Sequence, residues 1–122
     1  MDINNYIDLC VINNSHYDIS IVVYKILKGK YRYIKNNVWE YLDKNNNWVL
    51  DIKQTNLIYA IKTDVYKYFI RRSIEWNDNK VLINNDILNN NIMSSKILKI
   101  SSKLKENKFI SAIIKESQQF FI

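Results

Sequence analysis

Apolar positions recur at helical spacing early in the chain. Ile19, Val22, Val23 and Ile26 repeat at intervals of three and four, and Leu27 widens the stripe. That period predicts an amphipathic helix over roughly 16–28. Ser15 stands where an N-cap belongs, and Asp18 three residues later makes an acidic variant of the capping box. Gly29 follows the stripe, where a left-handed C-terminal cap suits glycine. Residues 2–12 alternate weakly and fit either a short helix or an extended arm.

After Gly29 the pattern becomes aromatic and β-branched. Tyr31–Lys35, Val38–Leu42 and Trp48–Ile52 read as three strands, with Lys44-Asn45-Asn46-Asn47 as a turn cluster between the last two. A four-residue loop at Lys44–Asn47 would set Asp43 opposite Trp48, Tyr41 opposite Leu50 and Trp39 opposite Ile52. One face then carries Trp39, Tyr41, Trp48, Leu50 and Ile52. The other carries Val38, Glu40, Leu42, Val49 and Asp51. Trp39, Tyr41 and Trp48, with Tyr31 and Tyr33 nearby, have the makings of a base-stacking platform. Their place beside Leu50 and Ile52 favours a core role instead. The opposite face holds carboxylates and suits phosphate poorly.

A second helical stripe begins at Gln54 or Thr55. Leu57, Ile61, Val65, Tyr68 and Phe69 lead toward Trp76. Residues 77–95 are rich in asparagine and read as a loop or irregular connection holding one short element at the brief apolar Val81-Leu82-Ile83. Two helices are expected after it, at about 94–106 and 108–121, the first capped by Ser94 or Ser95. The predicted fold is α+β in one domain over 1–122: an N-terminal helix, a three-stranded antiparallel meander, a long helix and a C-terminal helical pair. A hairpin between helices can serve as a wing, which is compatible with a winged-helix-like arrangement.

Composition narrows the chemistry. Proline is absent and Gly29 is the single glycine. No glycine-rich phosphate cradle exists, and no cofactor is expected. Cys10 is the single cysteine, so an internal disulfide and a cysteine zinc cluster are excluded. Cys10 reads as a small buried hydrophobe. His16 is the single histidine, which leaves neither a metal set nor a catalytic dyad and suggests a structural or capping role. Carboxylate pairs such as Asp43/Asp51 or Glu40/Asp51 read as surface hairpin residues. The chain by itself is not expected to be an enzyme. It shows no signal segment, and its longest apolar run is too short for a bilayer, so an intracellular setting without membrane contact is expected. The Asn13-Asn14-Ser15 sequon then reads as chance.

Charge adds a direction. The formal net charge is +6. Residues 1–61 hold seven Lys/Arg against six Asp/Glu, and residues 62–122 hold eleven against six, so the halves carry +1 and +5. A basic half suggests a polyanionic partner, most simply DNA, although the abundant Ile, Asn, Lys and Tyr also fit an AT-rich genome. Lys96, Lys99 and Lys103 fall on one stripe, about 80–100° from the Ile97/Ile100/Leu104 stripe at 3.6 residues per turn. Ser101 and Ser102 add hydroxyl donors. The candidate nucleic-acid contacts are Lys96, Lys99, Lys103, Lys105, Arg71 and Arg72; the bland alternative is a solvated lysine face. A second candidate surface is the apolar face of 109–121, with Phe109, Ile113, Phe120 and Phe121, which suits docking on a neighbouring domain or subunit.

The order of these residues resembles the region just upstream of the helicase core in poxvirus-type primase–helicases. His16, Asp18 and Tyr24 form an H-x-D-x-(small)-x-x-x-Y pattern, with Ser20 at the small position. Tyr31, Trp39, Tyr41, Trp48 and Asp51 follow, then Leu57 and Ile61. Leu104, Phe109, Ile113, Glu116 and Phe120 resemble the closing helices. The resemblance spans roughly Ser15–Phe121. It implies a DNA-replication accessory module that loads or links a superfamily 3 helicase, with an ATPase domain or neighbouring subunits as partners. It also implies a viral setting, in the host cytoplasm or a replication factory. Walker motifs and a primase carboxylate triad are lacking here.

Overall fold

Asp2 and Ser15 start the first two helices. The computed structural model describes residues 2–78 and 87–122, with side chains described for 2–78 and 90–122. Helix α1 spans Ile3–Asn13, and the Asp2 carboxylate accepts the Asn5 N–H at 3.1 Å. Asn14 closes α1 in the left-handed region (φ 48°), its N–H donating to the Cys10 carbonyl. The weakly patterned N-terminal stretch is thus helical. Burial pushes the Cys10 thiol up, and its Sγ donates to the Tyr6 carbonyl at 3.3 Å. Helix α2 spans His16–Leu27. Ser15 Oγ accepts the Asp18 N–H at 3.2 Å and donates to the Asp18 carboxylate, the expected cap. The exit is a type II turn, with Lys28 at φ −54°, ψ 142°, Gly29 at φ 82°, and Lys30 N–H donating to Leu27 at 3.1 Å. That turn needs positive φ at its third residue, which explains the glycine.

Strands β1 (Tyr31–Lys35), β2 (Val38–Leu42) and β3 (Trp48–Leu50) form an antiparallel sheet in that order. Asn36 and Asn37 both take positive φ, as a tight hairpin turn requires. The β2–β3 register differs by one from the sequence expectation. Leu42 pairs with Trp48, Tyr41 with Val49, and Glu40 with Leu50. The cause is local. Asp43 Oδ1 accepts the N–H groups of Asn45 and Asn47 at 2.9 and 2.8 Å. Asp43 N–H donates to Asn47, and Asn46 turns left-handed, so the loop is Lys44–Asn46. A one-residue slip moves every β3 side chain to the other face. Trp39 therefore points into the core at 1% exposure, while Trp48 shares the outer face with Glu40. Arg32 completes that face, with Nε 2.6 Å from Glu40 Oε1 and its guanidinium 4.4 Å from the centre of the Trp48 ring.

Asp51 also departs from expectation. It is buried at 2% exposure rather than displayed on a hairpin. Oδ1 accepts from the Asn56 backbone and side-chain N–H groups, and Oδ2 accepts the Leu57 N–H at 3.0 Å. It thereby caps α3 (Thr55–Ala60) from outside the helix, because Gln54, left-handed at φ 55°, makes no side-chain cap. Nearby, Tyr31 donates to the Asn56 carbonyl at 3.2 Å, and burial, then Asp51 and Asp64, push its phenol up to about 12. The folded state holds this proton more tightly than an unfolded tyrosine, which titrates near pH 10. The contribution of this group to stability is full below pH 10 and is lost as pH rises toward 12. Urea melts at pH 9 and pH 11.5 should show that loss, and Tyr31→Phe should flatten it.

The chain runs on from α3 through a π-helical segment, Ile61–Val65, into α4 (Tyr66–Asn77). Leu57, Ile61, Val65 and Phe69 are all at most 1% exposed. Steps of four drift about 40° each on a regular α-helix. The wider π turn offsets that drift and keeps the four residues on one core face. Helix α5 spans Ile87–Lys103 and α6 spans Asn107–Ser117. Residues 87–95, expected to be irregular, are the first half of α5. The short element expected at 81–83 lies outside the described residues. Ser94 is interior rather than capping: its Oγ lies 2.9 Å from Ser73 Oγ, where two small residues let α4 and α5 approach closely.

The last residues close the core. Phe121 is 3% exposed and packs edge-on against Trp39 and Tyr24, with centroids 5.4 and 5.1 Å apart. Its carbonyl accepts the Tyr33 N–H at 3.0 Å, so the C-terminal segment lies against the β1 edge. Phe120 contacts Tyr17 and Tyr24, Phe109 meets His16 edge-on, and Ile113 is fully buried. The face expected to dock a partner is instead occupied by the protein's own α2 and sheet.

Candidate nucleic-acid interface

Helix α5 carries no acidic residue, and the acid-free run extends from Ile87 through Lys105. Its buried side is built from Asn90, Ser94, Ile97 and Ser101, spaced by three and four, and Leu104 continues it just past the helix end. That leaves Lys96, Lys99 and Lys103 exposed along another side. They span about 10 Å of helix axis at 1.5 Å per residue. Together with Ile100 they form one wall of a groove of about 280 Å³, and Val11 of α1 and the cap residue Asn14 form the other. Asn14, the left-handed cap that ends α1, lines the groove here. Lys103 Nζ also lies 5.8 Å from the Phe109 ring centre, at the end of the row.

The other sequence candidates separate from this row. Lys105 Nζ donates to the Lys62 carbonyl at 2.7 Å and sits 3.9 Å from the Tyr66 ring centre. The π segment explains that contact. Tyr66 N–H bonds to Ile61 and Thr63, so Lys62 loses the donor a regular α-helix would supply. Lys105 replaces it. Lys105→Met should therefore cost about 1–2 kcal/mol of stability, from one charged hydrogen bond and one cation–π contact. Denaturant melts read that loss; polyanion binding should hardly change.

Arg72 is withdrawn from the surface. It is 7% exposed, and its Nε and Nη2 donate to the two Asp8 oxygens at 2.9 and 2.6 Å. That bond, first among the causes, raises its already high pKa. Asp8 also accepts the Trp76 indole N–H at 2.9 Å. The expected phosphate contact by Arg72 is set aside, because its charge joins α4 to α1. Arg71 is exposed but lies over the Tyr68 ring at 5.4 Å. Tyr68 lines a different cleft with Tyr6 and Lys25, away from the lysine row. Ser101 donates to Ile97 and Leu98, and Ser102 to Leu98, so both hydroxyls are engaged within α5.

A second cavity, about 380 Å³, continues the seam between α1 and α5. Ile12, Trp76, Ile92 and Met93 give it an apolar wall, and Lys96 lines both cavities. Sequence reasoning missed this part because α1 is weakly patterned and the start of α5 hides in an asparagine run. Among the described residues no group of three or more His, Cys, Asp or Glu is placed to hold a metal ion. Among them, too, no helix is long and apolar enough to cross a membrane. Comparison with protein-family models, with curated proteins and with solved structures gave no match.

Proposed function

We infer that this domain is a non-catalytic nucleic-acid-binding module that grips a phosphate backbone along α5. The observation that carries it is the row Lys96, Lys99 and Lys103 on an acid-free helix, lining one groove. Three exposed ammonium groups there can neutralise phosphates and release counterions. The neighbouring acid that would oppose an anion, Asp8, is already neutralised by Arg72. The resemblance of the residue pattern to that of primase–helicases supports a setting in DNA replication, beside a hexameric ATPase. Many of the residues that carry this pattern, among them Trp39, Asp51, Leu57, Ile61, Leu104 and Ile113, are buried and hold the fold. The groove is the part that acts on a partner.

The test is a titration of labelled DNA with the whole protein across a salt series. Three phosphate contacts give a slope of log K against log salt of about −2 for a single strand and nearer −3 for a duplex. Absence of binding at low salt would end this reading.

A further inference from the structure

We propose that the α1–α5 seam binds a single strand, with phosphates on the lysine row and an unpaired base in the apolar cavity beside it. This rests on the backbone-binding reading above and specifies its ligand. The two cavities abut on one seam and share Lys96 as a wall. The helices run in the same direction there: Asp8 and Ile12 face Met93 and Lys96, while Val11 and Asn14 face Lys99 and Lys103. A strand laid along the row therefore passes directly from the basic part to the apolar part.

The apolar part has no use for a duplex, which keeps its bases stacked inside. An unpaired base offers a flat apolar face and a polar edge. Ile12 and Ile92 stand 69% and 42% exposed at the cavity, with Met93 and Trp76 beside them. Polar groups lie there as well, in Asn90 and in an Asp8 carboxylate already tied to Arg72 and Trp76. An apolar protein segment would gain from the isoleucines but not from the lysines. A nucleic-acid strand gains from both.

The experiment compares three labelled probes by fluorescence anisotropy at low salt. They are an oligothymidylate of about 15 nucleotides, an abasic strand of the same length, and a duplex. The oligothymidylate should bind roughly tenfold more tightly than the abasic strand, the value of one lodged base, and more tightly than the duplex. Ile92→Ser, at a part-exposed site where the fold survives, should bring oligothymidylate affinity down to the abasic level; circular dichroism confirms folding. Equal affinity for all three probes overturns the base site and leaves backbone binding standing. A preference for thymidylate that persists in Ile92→Ser overturns this cavity as its source. Failure to bind any probe overturns the backbone reading itself.

Discussion

Replacing Lys96, Lys99 and Lys103 together with glutamate is expected to weaken polyanion binding by roughly 10²–10³-fold at 50 mM salt. Counterion release sets the size of this loss. Three contacts on a single strand contribute a slope near −2, which between 50 mM and 1 M salt amounts to that factor. Reversing the charges removes the contacts and adds repulsion. The salt slope should fall by about 2 in the same experiment. A triple glutamine variant should fall between, because it removes attraction without adding repulsion. The three side chains are exposed, so melting temperature should stay close to that of the parent. Unchanged affinity in the folded glutamate variant would sink the proposed function.

Phe121→Ala is expected to cost about 3–5 kcal/mol, the usual loss for a buried phenylalanine. For a domain of this size that lowers the melting temperature by roughly 10–20 °C. The ring is 3% exposed and makes two edge-on contacts, with Trp39 from the sheet and Tyr24 from α2. Removing it opens a cavity at the junction of two layers. Phe121→Leu should recover much of the loss through burial while forfeiting the ring–ring geometry. Deleting residues 118–122 should be at least as damaging, because the Tyr33 N–H also loses its acceptor. Light scattering on that deletion separates this from a docking role. A loss of stability is expected, whereas a change of assembly state with stability intact would restore the docking face.

Elements whose local signals agree were legible in the sequence. In α2 the period, the Ser15–Asp18 cap and Gly29 all point the same way, and the helix spans His16–Leu27 as expected. The hairpin was legible as an element but not in register. Loop length there depends on which backbone groups the Asp43 carboxylate takes, and residue type alone does not decide that. The strict spacing of four in Leu57, Ile61, Val65 and Phe69 was the available sign of a π segment. The first half of α5 was hidden because its buried residues are Asn90 and Ser94, which hydrophobic periodicity does not register. Asparagine also ranks low as a helix former.

The site was legible only on one side. A row of lysines at helical spacing is visible in a sequence. The opposing wall, Val11 and Asn14, comes from a helix some eighty residues earlier. Arg72 shows the same limit. Its charge reads as available in the sequence, and the fold sets Asp8, 64 positions away, beside it. Lys105 likewise serves a carbonyl released by a π turn that no composition rule announces.

The placement of Phe121 has a consequence for synthesis. Trp39 and Tyr24 leave the ribosome long before the ring that covers them. Until residue 121 is made, the sheet and α2 expose an aromatic surface with no partner of its own chain. Nascent chains in that state are open to aggregation and to chaperone capture. Closure of the core therefore waits for residue 121 to emerge, and a chain cut short of it should be cleared by proteolysis rather than persist as a shortened domain.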